Sequence, residues 1–394
     1  MEYGDYWRKH RKLFHQHFRP LAVPQYHSSQ TKAIRRLLPS LLDSPGEFMG
    51  HIRFMAGAMI LDIAYAISVR PGDPLIKLVE KAMHSATEII ASGVYLVDVI
   101  PILKRLPSWF PGAGFKRQTA KWRPLVDSMF ETPYGQFKES MREGNAKPCF
   151  AATLLSSVNN NEDATYLDQI FMSLAGSVYG AGSDTTISTL TTFIQAITMF
   201  PETQISACAE LDRVLSRKRL PEIEDQDSLP CITAIVHEVL RWHPVVPLAV
   251  PHQTIADDEY RGYHIPAGTV VIGNTWAILH DEDVFPDPEA FKPERFLRED
   301  GSLRDDMPYP VEAFGYGRRI CPGRYFAHDL IWLGIATILA VFKVERAVDE
   351  HRNVIEPKGE FTPRFLSMPK PFKCRFTPRF PEAETLIRSA ALAD

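Results

Sequence analysis

Phe314-Gly315-Tyr316-Gly317-Arg318-Arg319-Ile320-Cys321-Pro322-Gly323 is a glycine-rich loop that carries one cysteine and runs straight into an apolar stretch. Gly315 and Gly317 permit backbone angles and close approaches that a Cβ would block, so several N–H groups can turn toward the sulfur. Such donors stabilise a thiolate and lower the thiol pKa. Pro322 suits the first position of a helix, whose N-terminal dipole would then lie beside the sulfur. Gly323 leaves room for a flat ring against that helix, Phe314 can pack on the cysteine side of the ring, and Arg319 can reach a carboxylate. The ligand these features suit is a haem iron held by Cys321. Thiolate ligation pushes electron density onto iron and favours O–O cleavage.

Outward from the loop, Ala181-Gly182-Ser183-Asp184-Thr185-Thr186 falls inside a helix predicted from Tyr166 to Phe200. A mid-helix glycine costs about 1 kcal/mol against alanine, and Ser and Thr bond back to carbonyls and bend helices, so a local groove is expected there. An acid followed by a hydroxyl, Asp184 and Thr185, suits proton delivery at such a groove; a Thr-rich amphipathic helix is the plain alternative. Glu238 and Arg241 stand at i, i+3 on one predicted helix face, and Arg295 lies downstream in Pro293-Glu294-Arg295-Phe296. His237-Glu238 does not begin a zinc-protease H-E-x-x-H, because position 241 is Arg. Trp7 and Arg11, at i, i+4, put an indole N–H and a guanidinium on one helix face.

The bulk numbers are ordinary for a soluble globular chain. In 394 residues, 45% are hydrophobic and 23% charged, and the formal net charge of −4 points away from nucleic acid. Five scattered cysteines with no C-x-x-C pair form neither a disulfide framework nor a zinc site. The apolar run Leu330 to Phe342 is short for a bilayer span and reads as a core helix, and no signal-peptide pattern is seen. Helices are predicted over Tyr3 to Phe18, 29–42, 50–69, 74–92, 115–143, 166–200, from Pro201 to Ser216, and Leu229 to Trp242. After Pro244 the texture turns β-rich, with runs Val245 to Ile255, Tyr260 to Ile265 and Thr269 to Ile272 between Asp-Asp and Pro-Ala-Gly turns. A Pro-rich irregular wrap from Phe285 to Tyr309 and a last strand near Phe372 to Phe376 complete the reading.

The cysteine loop resembles the haem loop of cytochrome P450 monooxygenases, F-x-x-G-x-R-x-C-x-G, at every position. Residues 181–186 resemble the family's A/G-G-x-D/E-T-T/S helix, Trp7 and Arg11 its W-x-x-x-R, and Glu238-Val239-Leu240-Arg241 its E-x-x-R. Stretches such as Tyr3-Gly4-Asp5-Tyr6-Trp7-Arg8, Trp109-Phe110-Pro111-Gly112 and Asp257 to Tyr263 are similar to fungal members that tailor secondary metabolites. The resemblance implies haem b with Cys321 as thiolate ligand, and Thr185 with Asp184 in proton delivery. It implies Trp7, Arg11, His252 and Arg319 at the haem propionates, Phe314, Gly317 and Gly323 shaping the haem seat, and a buried cluster of Glu238, Arg241 and Arg295. It further implies a lipophilic substrate of terpenoid, polyketide or indole type, a NADPH-cytochrome P450 reductase as electron donor, and the cytosolic face of the endoplasmic reticulum membrane.

The expected fold is mainly α with a smaller β-rich part, one haem-binding domain over residues 1–394. It is a P450 fold lacking its N-terminal anchor, early helices and part of its β-sheet, because only six residues precede Trp7. Without an anchor the chain as given reads as cytoplasmic or peripheral to a membrane. Phe171, Leu174, Val178, Val246 to Ala249 and Phe361 to Leu366 read as core or as pocket lining. Leu106, Trp109, Phe110 and Phe115, beside Lys104, Arg105 and Lys116, read as a membrane-touching loop or a buried one. Arg8, Lys9, Lys12 and Arg318 suit an acidic reductase, or are a solvated face. Two other functions fit the residues: a reductase-independent isomerase or dehydratase, and a non-catalytic haem- or ligand-binding remnant.

Overall fold

A computed structural model describes residues 2–90, 95–157 and 163–392. The helices are α1 (Asp5–Phe18), α2 (His27–Asp43), α3 (Phe48–Tyr65), α4 (Pro74–Ile90), α5 (Leu96–Val99), α6 (Gly114–Arg142), α7 (Phe150–Ser156), α8 (Ala164–Met199), α9 (Thr203–Leu215), α10 (Pro230–Trp242), α11 (Thr275–Leu279), α12 (Arg324–Val341) and α13 (Ala383–Leu392). The predicted helix 74–92 stops at Ile90, and its last two positions lie outside the described residues. The mainly α reading with a smaller β part holds.

α8 shows why the sequence folds as it does. Asp163 caps it, its carboxylate accepting from the N–H groups of Thr165 (2.8 Å) and Tyr166 (3.3 Å). Pro201 cannot continue it, so it ends at Met199 after 36 residues. α3 lies along it, and α2, α6 and α12 close around the pair to form the core. The glycines of α8 fit these neighbours. A Cβ on Gly176 would meet the Phe130 ring of α6 at 2.2 Å, and one on Gly182 would meet Ile60 of α3 at 2.9 Å. Gly182 therefore seats a helix and opens no groove, and α8 runs unbroken through the Ser/Thr-rich stretch. Those hydroxyls instead bond back along the helix, Ser183 to the Tyr179 carbonyl (2.9 Å) and Thr186 to that of Gly182 (2.9 Å).

The β part is smaller than predicted. β1 (His252–Gln253) pairs with β4 (Val270–Val271), so the run Val245 to Ile255 is mostly not strand. Two prolines in it, Pro247 and Pro251, and Pro244 just before it remove ladder donors. β2 (Asp258–Tyr260) and β3 (Tyr263–Ile265) form a hairpin that turns at Arg261-Gly262, both with positive φ (53° and 81°). The expected run Tyr260 to Ile265 is thus broken in two, because the Arg-Gly pair supplies the left-handed two-residue turn a hairpin needs; of the expected Asp-Asp turn, Asp257 lies outside the strands and Asp258 opens β2. A third sheet, ordered β6-β5-β7, joins Val354–Ile355, Phe342–Val348 and Cys374–Pro378. α12 begins six residues before Leu330, which gives an 18-residue helix long and apolar enough to cross a bilayer. Leu330 to Val341 are nevertheless packed inside the protein.

Candidate functional site

The cysteine loop is held by its own backbone. Gly315 (φ 82°) and Gly317 (φ 54°) take the left-handed angles expected of them. The Cys321 N–H donates to the Phe314 carbonyl at 2.8 Å, closing the loop. The N–H groups of Arg319 and Ile320 go to the carbonyls of Tyr316 and Gly317, so they do not point at the sulfur as expected. Among the described residues the backbone donor at the Cys321 sulfur is Gly323 N–H. Pro322 is also displaced from the predicted first helical position: Gly323 caps α12, and Arg324 is its first residue.

Burial pushes the Cys321 thiol up from its ordinary value, against the pull of Gly323 N–H and the positive charges of Arg11 and Arg324. Burial thus outweighs these donors, the opposite direction to the one the loop's sequence suggests. A metal bound through this sulfur would displace its proton to solvent. The residues fit that role. One sulfur retains accessible surface, is flanked by two guanidiniums, and has a glycine at 323 whose added Cβ would lie 3.9 Å from Sγ. The donor set is a single sulfur, so a prosthetic group must bring the remaining ligands.

α1 brings two predicted residues to this loop. Arg11 donates to the Ile320 carbonyl at 2.6 Å. Arg319 lies over the Trp7 ring, 4.7 Å from its centroid, so two of the four residues expected at the propionates meet at one place. His252 stands apart on β1, in the wall of a surface cavity of about 490 Å³ that it shares with Arg318. Phe314 is partly buried against the core.

The Glu238 cluster is assembled. Arg241 donates to both carboxylate oxygens of Glu238, from Nε at 2.7 Å and Nη2 at 2.9 Å, with both side chains fully buried. Arg295 Nε approaches at 3.2 Å and the Lys292 N–H at 2.7 Å. Burial pushes the Glu238 carboxyl up, and the two guanidiniums pull it back. Arg241 also donates to the carbonyls of Leu279 (3.0 Å) and Pro288 (2.8 Å), and Arg295 to that of Pro286 (2.9 Å). The irregular wrap is therefore tied to α10 where Glu238 accepts from Lys292 N–H and Arg295 and where Arg241 donates to the Pro288 carbonyl.

On α8, Ser173, Ser177, Ala181 and Thr185, spaced four apart down one face, all keep accessible surface. Phe171, Leu174 and Val178 are buried in the core, the first of the two readings the sequence allowed them. Thr185 Oγ1 donates to the Ala181 carbonyl at 2.8 Å. Asp184 is pushed up by burial, and feels Arg53 of α3 and Glu80 and His84 of α4. Arg53 and Glu80 form a partly exposed ion pair, so charged groups lead from Asp184 to the surface. Beside this face, Ser188 donates to the Ser367 carbonyl (2.7 Å) and holds the turn between Phe361 and Pro369 against α8.

Sequence reasoning missed Arg324, Arg53, Glu80 and His84. Arg324 had a usable signal, since it follows the cysteine by three residues in the loop that was read most closely. The other three act across helices, and no spacing along the chain announces them.

The cytochrome P450 family matches residues 1–376. A cytochrome P450 monooxygenase of Armillaria gallica is 42% identical over 390 residues, covering 98% of this chain and 76% of the relative. This chain belongs to the cytochrome P450 family. The P450 monooxygenase ple1 of Rhodocybe pseudopiperita is 42% identical over 394 residues, covering all of this chain and 75% of the relative. The tryptamine 4-monooxygenase of Psilocybe cyanescens is 40% identical over 382 residues, 96% of this chain and 75% of the relative. Membership makes the chain an oxidoreductase of the oxygen-incorporating type, and the family implies haem with cysteine ligation, a redox partner and lipophilic substrates.

Proposed function

We propose that this chain is a haem-thiolate monooxygenase that inserts one oxygen atom into a C–H or C=C bond of a lipophilic fungal secondary metabolite. The observation that carries it is the Cys321 loop, which α1 grips through Arg11 and which α12 follows directly. Bound there, haem would supply the activation of O₂ and the cleavage of the O–O bond. Cys321 would hold it through sulfur, while Arg11, Trp7, Arg319 and His252 bind its carboxylates. Asp184 carries protons inward from the Arg53–Glu80 pair, and Thr185 presents them at the open face of α8. The apolar turn at Phe361 to Leu366 and the small residues Ser173, Ser177 and Ala181 leave room for a bulky neutral substrate. Relatives named for tryptamine hydroxylation and for other fungal pathways support a tailoring role, with terpenoids, polyketides and indoles as substrate types.

A NADPH-cytochrome P450 reductase supplies electrons in this reading. Exposed Leu96, Ile102, Trp109 and Phe110 surround Lys104 and Arg105, and form a patch suited to touching the endoplasmic reticulum membrane. The test is spectroscopic and kinetic. Reduced, CO-treated protein gives the shifted Soret band of thiolate ligation, and Cys321→Ala abolishes it; a band that survives the substitution sinks the proposal. Thr185→Ala keeps the band and diverts reducing equivalents to peroxide. Product formed without NADPH and reductase would instead favour an isomerase or dehydratase.

A further inference from the structure

Two guanidiniums grip consecutive carbonyls on either side of the Cys321 side chain. Arg11, from α1, donates to the Ile320 carbonyl at 2.6 Å. Arg324, the first residue of α12, donates to the Cys321 carbonyl at 3.2 Å. The first contact polarises the peptide unit whose N–H closes the loop on Phe314. The second acts on the Cys321–Pro322 peptide, which has no N–H of its own because Pro322 follows. Arg324 is fixed in place: its Nη2 donates to the Tyr325 hydroxyl at 2.8 Å, and its guanidinium lies 4.3 Å from the Tyr325 ring centroid. It is half-buried in the wall of a cavity of about 840 Å³ that Ile320 also lines. Water there screens its charge only in part.

We infer that Arg324 is a positioning residue that, together with Arg11, moderates how strongly the Cys321 sulfur donates electron density to a bound haem iron. The inference rests on the haem-thiolate reading. A fixed positive charge beside the sulfur favours the state with more negative charge, which is the reduced one. Withdrawing density through the Cys321 peptide acts in the same direction. Loss of Arg324 therefore makes the iron harder to reduce and the sulfur a stronger donor.

The experiment is a spectroelectrochemical titration of the purified haem-loaded chain beside Arg324→Met, Arg324→Gln and Arg324→Lys, each checked for the CO-shifted Soret band. At fixed solution potential the ferrous-to-ferric ratio of Arg324→Met should fall about three- to tenfold, tenfold being 59 mV for one electron. Arg324→Gln, which keeps a donor without charge, should fall nearly as far. Arg324→Lys keeps the charge on a flexible stem and should stay close to the unmodified chain. A Met variant with an unshifted potential and an intact band overturns the inference. So does a Lys variant that falls as far as Met, since packing on Tyr325 would then be the cause. Absence of the shifted band from the unmodified chain removes the haem-thiolate reading itself, whereas a band present throughout with equal potentials removes only the role of Arg324.

Discussion

Glu238→Gln removes the negative charge shared by two guanidiniums whose other hydrogen-bond partners are backbone carbonyls. Arg241 is fully buried, and the side chain of Arg295 is 6% exposed. Four donors converge on the carboxylate: Arg241 Nε and Nη2, Arg295 Nε and the Lys292 N–H. A neutral amide has one acceptor oxygen, so at least one guanidinium N–H would face an amide NH₂. Breaking a buried pair in this way costs about 3–5 kcal/mol, much of it from the charge left behind. Unfolding entropy of about 2.1 cal/mol/K per residue makes each kcal/mol worth about 1.2 °C in a chain of this length, so Tm should drop by about 4–6 °C. The damage should be local first. Arg241 and Arg295 anchor carbonyls at 279, 286 and 288, and the wrap carries Phe285 and Phe296, which pack with Leu279 and the half-buried Ala313 next to Phe314. Limited proteolysis should therefore cut within residues 285–309 before the rest of the chain, and haem retention should fall in step. The double variant Glu238→Gln with Arg241→Met, which removes a stranded charge, should recover part of the Tm. Unchanged Tm and protease resistance in Glu238→Gln would refute the reasoning.

Three further outcomes follow from other places in the fold. Gly176→Ala drives a Cβ into the Phe130 ring, so overpacking of about 1–3 kcal/mol outweighs a helix gain of about 1 kcal/mol. Gly135→Ala in α6 meets nothing within 4 Å and should raise stability by about 1 kcal/mol, so paired denaturant curves should move in opposite directions. Burial raises the Asp184 carboxyl, so the fold favours its protonated form, and the penalty for ionising it grows as pH rises from the usual carboxylate value through the raised one. Asp184→Asn should thus keep or raise Tm at neutral pH while slowing coupled turnover; a lower Tm with normal turnover would contradict both halves. Burial, with His328 nearby, depresses His237 to about 4, so stability should decline as pH falls below the ordinary imidazole value toward 4. That linkage amounts to about 3 kcal/mol, and His237→Phe should shift the acid-unfolding midpoint to lower pH.

The helices were legible because their signals are local. Pro201 and Pro244 mark ends, Pro230 a beginning, and the observed bounds of α2, α6, α8 and α10 differ from the predicted ones by one or two residues. The strands were poorly legible because two- and three-residue pairings depend on partners far along the chain. β5 and α13 left no mark strong enough to be read, and a hairpin turn at Arg261-Gly262 splits the run Tyr260 to Ile265. At the site, residue identities were readable and their surroundings were not. The Cys321 loop suggested a lowered thiol pKa, but burial, which no motif encodes, reverses it. The apolar face of α8 at Phe171 and Leu174 was indistinguishable from a pocket wall until α6 and α3 were seen to cover it. Gly182 looked like a groove because a helix glycine gives the same sequence signal whether it opens space or admits Ile60.

The bond from Arg11 to the Ile320 carbonyl spans 309 positions in the chain. It makes the optical properties of the loop an indicator of whether the first helix is docked. A fluctuation that lifts residues 5–18 off the protein would withdraw the Arg11 charge from the sulfur's surroundings, together with the contacts proposed for Trp7 and Arg11 at the haem carboxylates. Absorbance near the Soret maximum, followed during mild denaturation, would then register the release of α1 as a small early step before the main loss of colour. A pigment in this fold is also a strain gauge for its own N-terminal contact.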